Sequence, residues 1–333
     1  MVVFLFRILG WSLAAILFVF LVNNYLVIWR DWPGIVAVFA QWQWFGKSAP
    51  GQALSAAELG LAWGQLAAYF AAIVGAFFYV SHSRDQSLRD DSERFAAMAN
   101  YVIRAAFWTV LLVGAADALI SFLRVEDLLS AVVGEEITTE LGRAHYRWPV
   151  VHMPLLLASL VIAAFTRSLG FTWLALLVVV AELLIVFSRF VFSYEQAFMG
   201  DLVRFWYAAL FLFASAYTLL EEGHVRVDVL YASFSRKTKG LINAVGSLVL
   251  GIALCSVILV LGMGGKANII NSPLLSIEVS QSGFGMYVKY LMAGFLAVFA
   301  VSMLIQFIGY MLSGIADFRG EPGGRDADAD LIH

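Results

Sequence analysis

Long apolar runs alternate with short polar breaks along the whole chain. Eight of the runs are long enough to cross a bilayer, which takes about 20 mostly apolar residues in a helix. They lie near residues 3–28, 58–80, 102–123, 149–166, 171–193, 202–221, 241–263 and 285–313. Within each run the apolar residues are continuous and do not alternate with polar ones, which predicts helices and argues against a transmembrane β-barrel. The first run is longer than the apolar core of a typical signal peptide, and no small-residue cleavage site follows it closely. It is therefore expected to stay as the first span. The predicted fold class is all-α, a polytopic membrane helical bundle.

Composition agrees with the pattern. Of 333 residues, 62% are hydrophobic and 14% charged, where a soluble domain carries about a quarter charged residues. Mean hydropathy is +0.84. The net charge of −3 comes without a basic block, so the bilayer is an expected partner and nucleic acid is not. Cys255 is the single cysteine and lies inside an apolar run, which excludes a disulfide and a thiolate metal cluster. The histidines are His82, His145, His152, His224 and His333. Only His152 falls inside a predicted span, so a haem held by two facing histidines is not expected, and no spacing suggests zinc. The chain contains no Walker motif, Gly-x-Ser-x-Gly or His-Glu-x-x-His. No enzymatic activity and no cofactor are expected.

Orientation follows the lysines and arginines of the loops. With the N-terminus inside, one side receives Arg7, Arg84, Arg89, Arg94, Arg104, Arg167, Arg226, Arg236, Lys237, Lys239, Arg319 and Arg325. The other receives Arg30, Lys47, Arg124, Arg143, Arg147, Arg204, Lys266 and Lys289. Twelve against eight favours both termini in the cytoplasm. The stretch "EEGHVRVDVLYASFSRKTK" at 221–239 then forms a cytoplasmic loop. Val225 and Val229, one turn apart, can share a helical face, and Phe234, Arg236, Lys237 and Lys239 follow. That pattern predicts an amphipathic helix near 225–239 in the headgroup layer, with Arg226 and the three later cations facing anionic lipid.

The same stretch carries a family resemblance. Gly223, His224, Val225, Val227 and Asp228, followed by an apolar and basic segment and a new span, resemble the signature of the small membrane subunit of TRAP (tripartite ATP-independent periplasmic) transporters. "SRFVF" at 188–192, "GDLVRFWYAALFLFASA" at 200–216 and "SQSGFGMYVKYLMAGFLAVF" at 280–299 are similar to that family's other segments, in the same order. Asp201 stands where Glu is more usual, and Glu221 and Glu222 where basic or neutral residues are. The resemblance covers about 170–318. It implies a four-helix domain over 169–318, and the four or so spans over 1–168 are read as an N-terminal extension of it; the polar, Gly-rich composition of 319–333 predicts a disordered cytoplasmic tail.

The resemblance further implies a scaffold that supports a large permease subunit, which holds the transport and sodium sites. A periplasmic solute-binding protein delivers the solute, often an organic acid, and the setting is the bacterial inner membrane. The role it implies for the 223–228 motif is geometric: a fixed cytoplasmic turn.

Three ionisable residues lie within the apolar runs: Asp117, Glu182 and Arg189. Charges at membrane depth are expected to face protein interior or a partner. Pairing inside the chain or across the large-subunit interface is the reading we favour. If spans three and five touch, Asp117 is expected to meet Arg189. The competing reading is a proton or ion relay through Asp117 and Glu182, which would make the chain a self-sufficient transporter, although neither span breaks at its carboxylate. A membrane anchor for a redox enzyme is the other alternative.

Overall fold

The structure is a computed structural model and describes residues 1–46, 54–167, 171–220, 231–280 and 285–323. Every regular element among them is helical. In chain order they are α1 (Val2–Trp29), α2 (Ile35–Gln41), α3 (Ala56–His82), α4 (Leu88–Val125), α5 (Leu129–Val133), α6 (Glu135–Leu141) and α7 (Ala144–Phe165). They continue with α8 (Phe171–Phe192), α9 (Ala197–Leu220), α10 (Arg236–Met263), α11 (Asn271–Ser276) and α12 (Lys289–Arg319). Eight helices are long and apolar enough to cross a membrane: α1, α3, α4, α7, α8, α9, α10 and α12. The eight-span expectation is met, and the chain is a multi-pass membrane protein.

Helix starts follow local capping. Ser55 caps α3 with a reciprocal pair: its Oγ accepts from Glu58 N at 3.2 Å, and Glu58 Oε2 accepts from Ser55 N at 2.8 Å. Ser87 and Asp90 form the same exchange at the start of α4, at 2.8 and 3.1 Å. This cap places the charged stretch "LRDDSER" inside α4, which therefore begins well before the expected boundary at 102.

Ser235 caps α10 by accepting from Thr238 N at 3.3 Å. Of the surface helix expected near 225–239, residues 225–230 lie outside the described residues. Tyr231–Ser233 are one 3-10 turn, and Arg236, Lys237 and Lys239 sit in the first turns of the membrane-crossing α10 itself.

The chain divides into two compact units. The first comprises Met1–Ala96, Arg226–Leu254 and Leu304–His333; the second comprises Ala97–Val225 and Cys255–Met303. In the first unit α1 packs along α3. Trp11 rests its ring 4.5 Å from that of Tyr79 and 4.8 Å from that of Phe95. Buried Gln65 ties α2 to its neighbours, accepting from Gly34 N at 3.0 Å and donating to Asn23 Oδ1 at 2.7 Å. Beyond α2, Trp42, Trp44 and Phe45 are exposed, as suits an aromatic belt at a membrane interface.

Near their polar ends α10 and α12 touch backbone to backbone. A Cβ on Gly314 would lie 2.7 Å from the Gly240 carbonyl oxygen, and one on Gly240 would lie 2.5 Å from the Gly314 oxygen. Neither backbone can rotate away. Gly314→Ala is therefore expected to cost about 1–3 kcal/mol by overpacking, despite the gain of roughly 1 kcal/mol in helix propensity. Gly246→Ala, whose Cβ meets nothing within 4 Å, is expected to hold or raise the melting temperature in detergent. Equal melting temperatures for the two variants would refute the close contact.

The core of the second unit is aromatic. The Phe295 ring centre lies 5.1 Å from those of both Phe205, tilted at 38°, and Phe213, edge-to-face at 70°, and Trp206 Nε1 donates to Val110 O at 3.1 Å. α8 packs on α9 and buries Leu174 and Ala181.

Candidate functional site

The second unit holds a cluster of charged and aromatic residues whose centre is fully buried. Its centre is Asp117 on α4. Asp117 Oδ1 accepts from Arg147 Nη1 at 2.7 Å and lies 3.0 Å from His152 Nε2. Asp117 Oδ2 accepts from the backbone N–H of Tyr287 at 2.6 Å. Asp117 and Arg147 side chains are 0% exposed and that of His152 is 1% exposed, so bulk water satisfies none of the three.

Each remaining polar atom finds a partner. Arg147 donates through Nε and Nη2 to Leu141 O at 3.0 and 2.7 Å, and its guanidinium lies 4.1 Å from the centre of the Tyr287 ring. His152 Nδ1 pairs with the Tyr290 hydroxyl at 2.6 Å. Tyr287 OH donates to Gly142 O at 2.8 Å and receives from Arg124 Nη1 at 3.2 Å. The cluster thus joins α4, the α6–α7 connection, α7 and the segment leading into α12.

A local distortion makes the cluster possible. Five residues of ideal α-helix place two side chains roughly 140° apart around the axis, too far apart for Arg147 and His152 to share one carboxylate. Trp148–His152 instead forms a π turn, whose i→i+5 spacing brings the two toward one face. Pro149 lies in this turn and Pro154 follows it. Neither has an N–H to donate to the α-helical ladder.

The three charges singled out in the sequence separate. Asp117 is buried and paired inside the chain. Arg189 is exposed and lies 3.5 Å from Glu195. The expected Asp117–Arg189 pair does not form among the described residues, because the π turn supplies Arg147 to the carboxylate and Arg189 lies on the exposed side of α8. Glu182 is exposed on α8 and is not a partner of Asp117.

Of the basic residues expected at the membrane surface, Arg236 pairs with Asp317 at 3.1 Å, and Lys239 Nζ lies 5.5 Å from the centre of the Tyr231 ring. Lys237 is exposed. The motif residues Gly223, His224, Val225, Val227 and Asp228, with Arg226, lie outside the described residues, as does the tail from 324 on.

Sequence reasoning missed Arg147, Tyr287 and Tyr290. The available signal was "RWPVVH", in which a cation and a histidine bracket a proline inside a span, together with the tyrosines of "MYVKY".

Between α8 and α9, Tyr194 donates to Glu126 Oε1 at 2.6 Å. Desolvation and that carboxylate push its hydroxyl up to about 12.

Residues 175–315 match the family model of tripartite ATP-independent periplasmic transporters, DctQ component. The match bears out the resemblance read from the sequence. The DctQ segment takes in most of α8, all of α9, α10 and α11, and α12 as far as Ile315. It covers less than half of the chain, and α1–α7 precede it as an N-terminal extension. It includes Glu182, Arg189, Tyr287 and Tyr290, whereas Asp117, Arg147 and His152 stand in the extension. The buried cluster is thus shared between the DctQ segment and the extension. No curated protein and no solved structure matches the chain.

Proposed function

We propose that the chain is the small membrane subunit of a TRAP-type transporter. It supports a large permease subunit in sodium-coupled, binding-protein-dependent uptake of an organic acid or similar solute across the bacterial inner membrane, with both termini in the cytoplasm. The observation that carries this reading is the DctQ match over 175–315. In this reading 169–318 is the subunit domain, 1–168 an extension built onto it, and 319–333 a cytoplasmic tail. The 223–228 motif fixes the cytoplasmic turn, and Arg226, Arg236, Lys237 and Lys239 meet the anionic membrane surface.

The buried cluster supports a scaffold role over a relay. Asp117 has three donors, two of them from one rigid turn, and a carboxylate held in this way suits a fixed joint. His152 has both ring nitrogens engaged, by Asp117 and Tyr290. Glu182, the second carboxylate a relay would need, is exposed on α8.

The test is reconstitution. This chain, carrying the only tag, is co-expressed with its cognate large permease subunit in mild detergent. A stoichiometric complex is expected, with solute uptake into liposomes that requires both the binding protein and an inward sodium gradient. Uptake by this chain alone would overturn the scaffold reading.

A further inference from the structure

We propose that the exposed flank of α8 carrying Glu182 docks a membrane helix of the large permease subunit, one that presents a basic side chain at mid-span depth. The inference rests on the subunit reading above.

Glu182 is the twelfth of the 22 residues of α8, at the middle of the span. Its neighbours in sequence are apolar from Trp173 to Ala181 on one side and from Leu183 to Phe187 on the other, until Ser188 and Arg189. The helix buries a narrow stripe, with Leu174 1% and Ala181 5% exposed. Glu182 stands about 100° from Ala181 around the axis, off that stripe, and is exposed. It has no hydrogen bond or ion pair with any described residue. α8 is also the least buried of the eight spans, and it lies almost wholly inside the DctQ-matched segment.

Charge selects the occupant. Lipid tails offer a carboxylate no donor, and an ionisable side chain at the centre of a span normally faces protein or water. Arg189 lies on nearly the same side of the helix but about 10 Å along it, and it is engaged by Glu195. A second copy of this chain fits poorly. In a two-fold pair the copies are related by an axis along the membrane normal, so the two Glu182 carboxylates share one depth and each Arg189 remains about 10 Å away. A different membrane subunit with a cation at that depth satisfies the carboxylate. The neighbouring Val179 and Val186, 54% and 47% exposed, supply apolar packing on either side of it.

Photocrosslinking in the co-expressed complex tests this. Val186→benzoylphenylalanine and Val179→benzoylphenylalanine are each irradiated in native membranes. The expected result is an adduct with the mass of this chain plus the large subunit. An intact complex that gives only lipid adducts, or an adduct of two copies of this chain, overturns the inference and leaves the subunit reading standing. If the unsubstituted chain does not co-purify with the large subunit, both fall together. In parallel, Glu182→Leu is expected to lower the co-purified large subunit at least tenfold while the amount of this chain in the membrane is unchanged, because the side chain is exposed and has no hydrogen bond or ion pair with any described residue. An unchanged yield of complex overturns the charge-paired partner.

Discussion

Asp117→Ala is expected to destabilise the chain by about 3–5 kcal/mol, the usual result of removing one partner of a buried ion pair. The penalty comes from what is left behind. Arg147 would keep its bonds to the Leu141 carbonyl but have no counter-charge, in a site where it is 0% exposed. The Tyr287 N–H, held by Asp117 at 2.6 Å, would lose its acceptor at the entry to α12. Asp117→Asn has a single acceptor oxygen, which can serve either that N–H or Arg147 but not both, and its amide NH2 then faces the other donor, so it too is expected to destabilise the chain.

The decisive comparison is the double variant Asp117→Leu with Arg147→Met. Replacing both members of a buried pair by apolar residues of similar volume is often neutral, so the double variant is expected to recover at least half of the loss caused by Asp117→Ala. Unfolding of the purified chain in mixed micelles reads these variants together with the single variants Asp117→Leu and Arg147→Met. If the double variant loses the sum of the two single effects, the pair is not coupled and the cluster is not a joint.

The sequence alone revealed the parts of this protein that depend on bulk transfer of apolar residues. Eight runs of about the required length declared the eight spans, since little but a helix can satisfy the backbone in lipid. It also revealed the family segment, because residues such as those of 188–192 and 280–299 follow one another in a recognisable order.

What stayed hidden depends on departures from regular geometry. Arg147 looked like a loop cation because it stands before a proline-containing stretch, and regular helical spacing gives no reason to place it beside His152. Only the π turn does so. The start of α4 was hidden in the same way: Asp91 reads as the end of a polar loop, yet it is buried, because a cation from a different helix meets it there. Hydropathy counts such a charge against a span, and the partner that neutralises it lies 84 residues away in the chain. Glu182 shows the converse. Its position at mid-span was plain, but whether it faced inward or outward depended on which side of α8 packs on α9.

The second large effect is expected in the first unit, at Arg7. Its side chain is 2% exposed and donates through Nε to Asp91 Oδ2 at 2.7 Å. Through Nη1 and Nη2 it reaches the backbone oxygen and the hydroxyl of Ser83, at 2.5 and 2.9 Å. One guanidinium thus holds α1, α4 and the turn that follows α3. Asp91 has a second cation, Arg94, but at 3.6 Å, and its Oδ1 has no hydrogen-bond partner among the described residues. Arg7→Met is therefore expected to cost about 3 kcal/mol, the lower end for a broken buried pair, since Arg94 still offsets part of the charge.

Arg7→Lys separates charge from shape. A lysine keeps the charge but lacks the planar fork that serves three acceptors at once. It is expected to recover the Asp91 contact and to leave the Ser83 turn unheld, so amide hydrogen exchange should rise at Ser83–Ser87 while overall stability falls by only about 1–2 kcal/mol. If Lys and Met behave alike, the geometry of the fork is what matters. If Lys behaves like Arg, the turn is held by something else, and Arg7 serves only to neutralise Asp91.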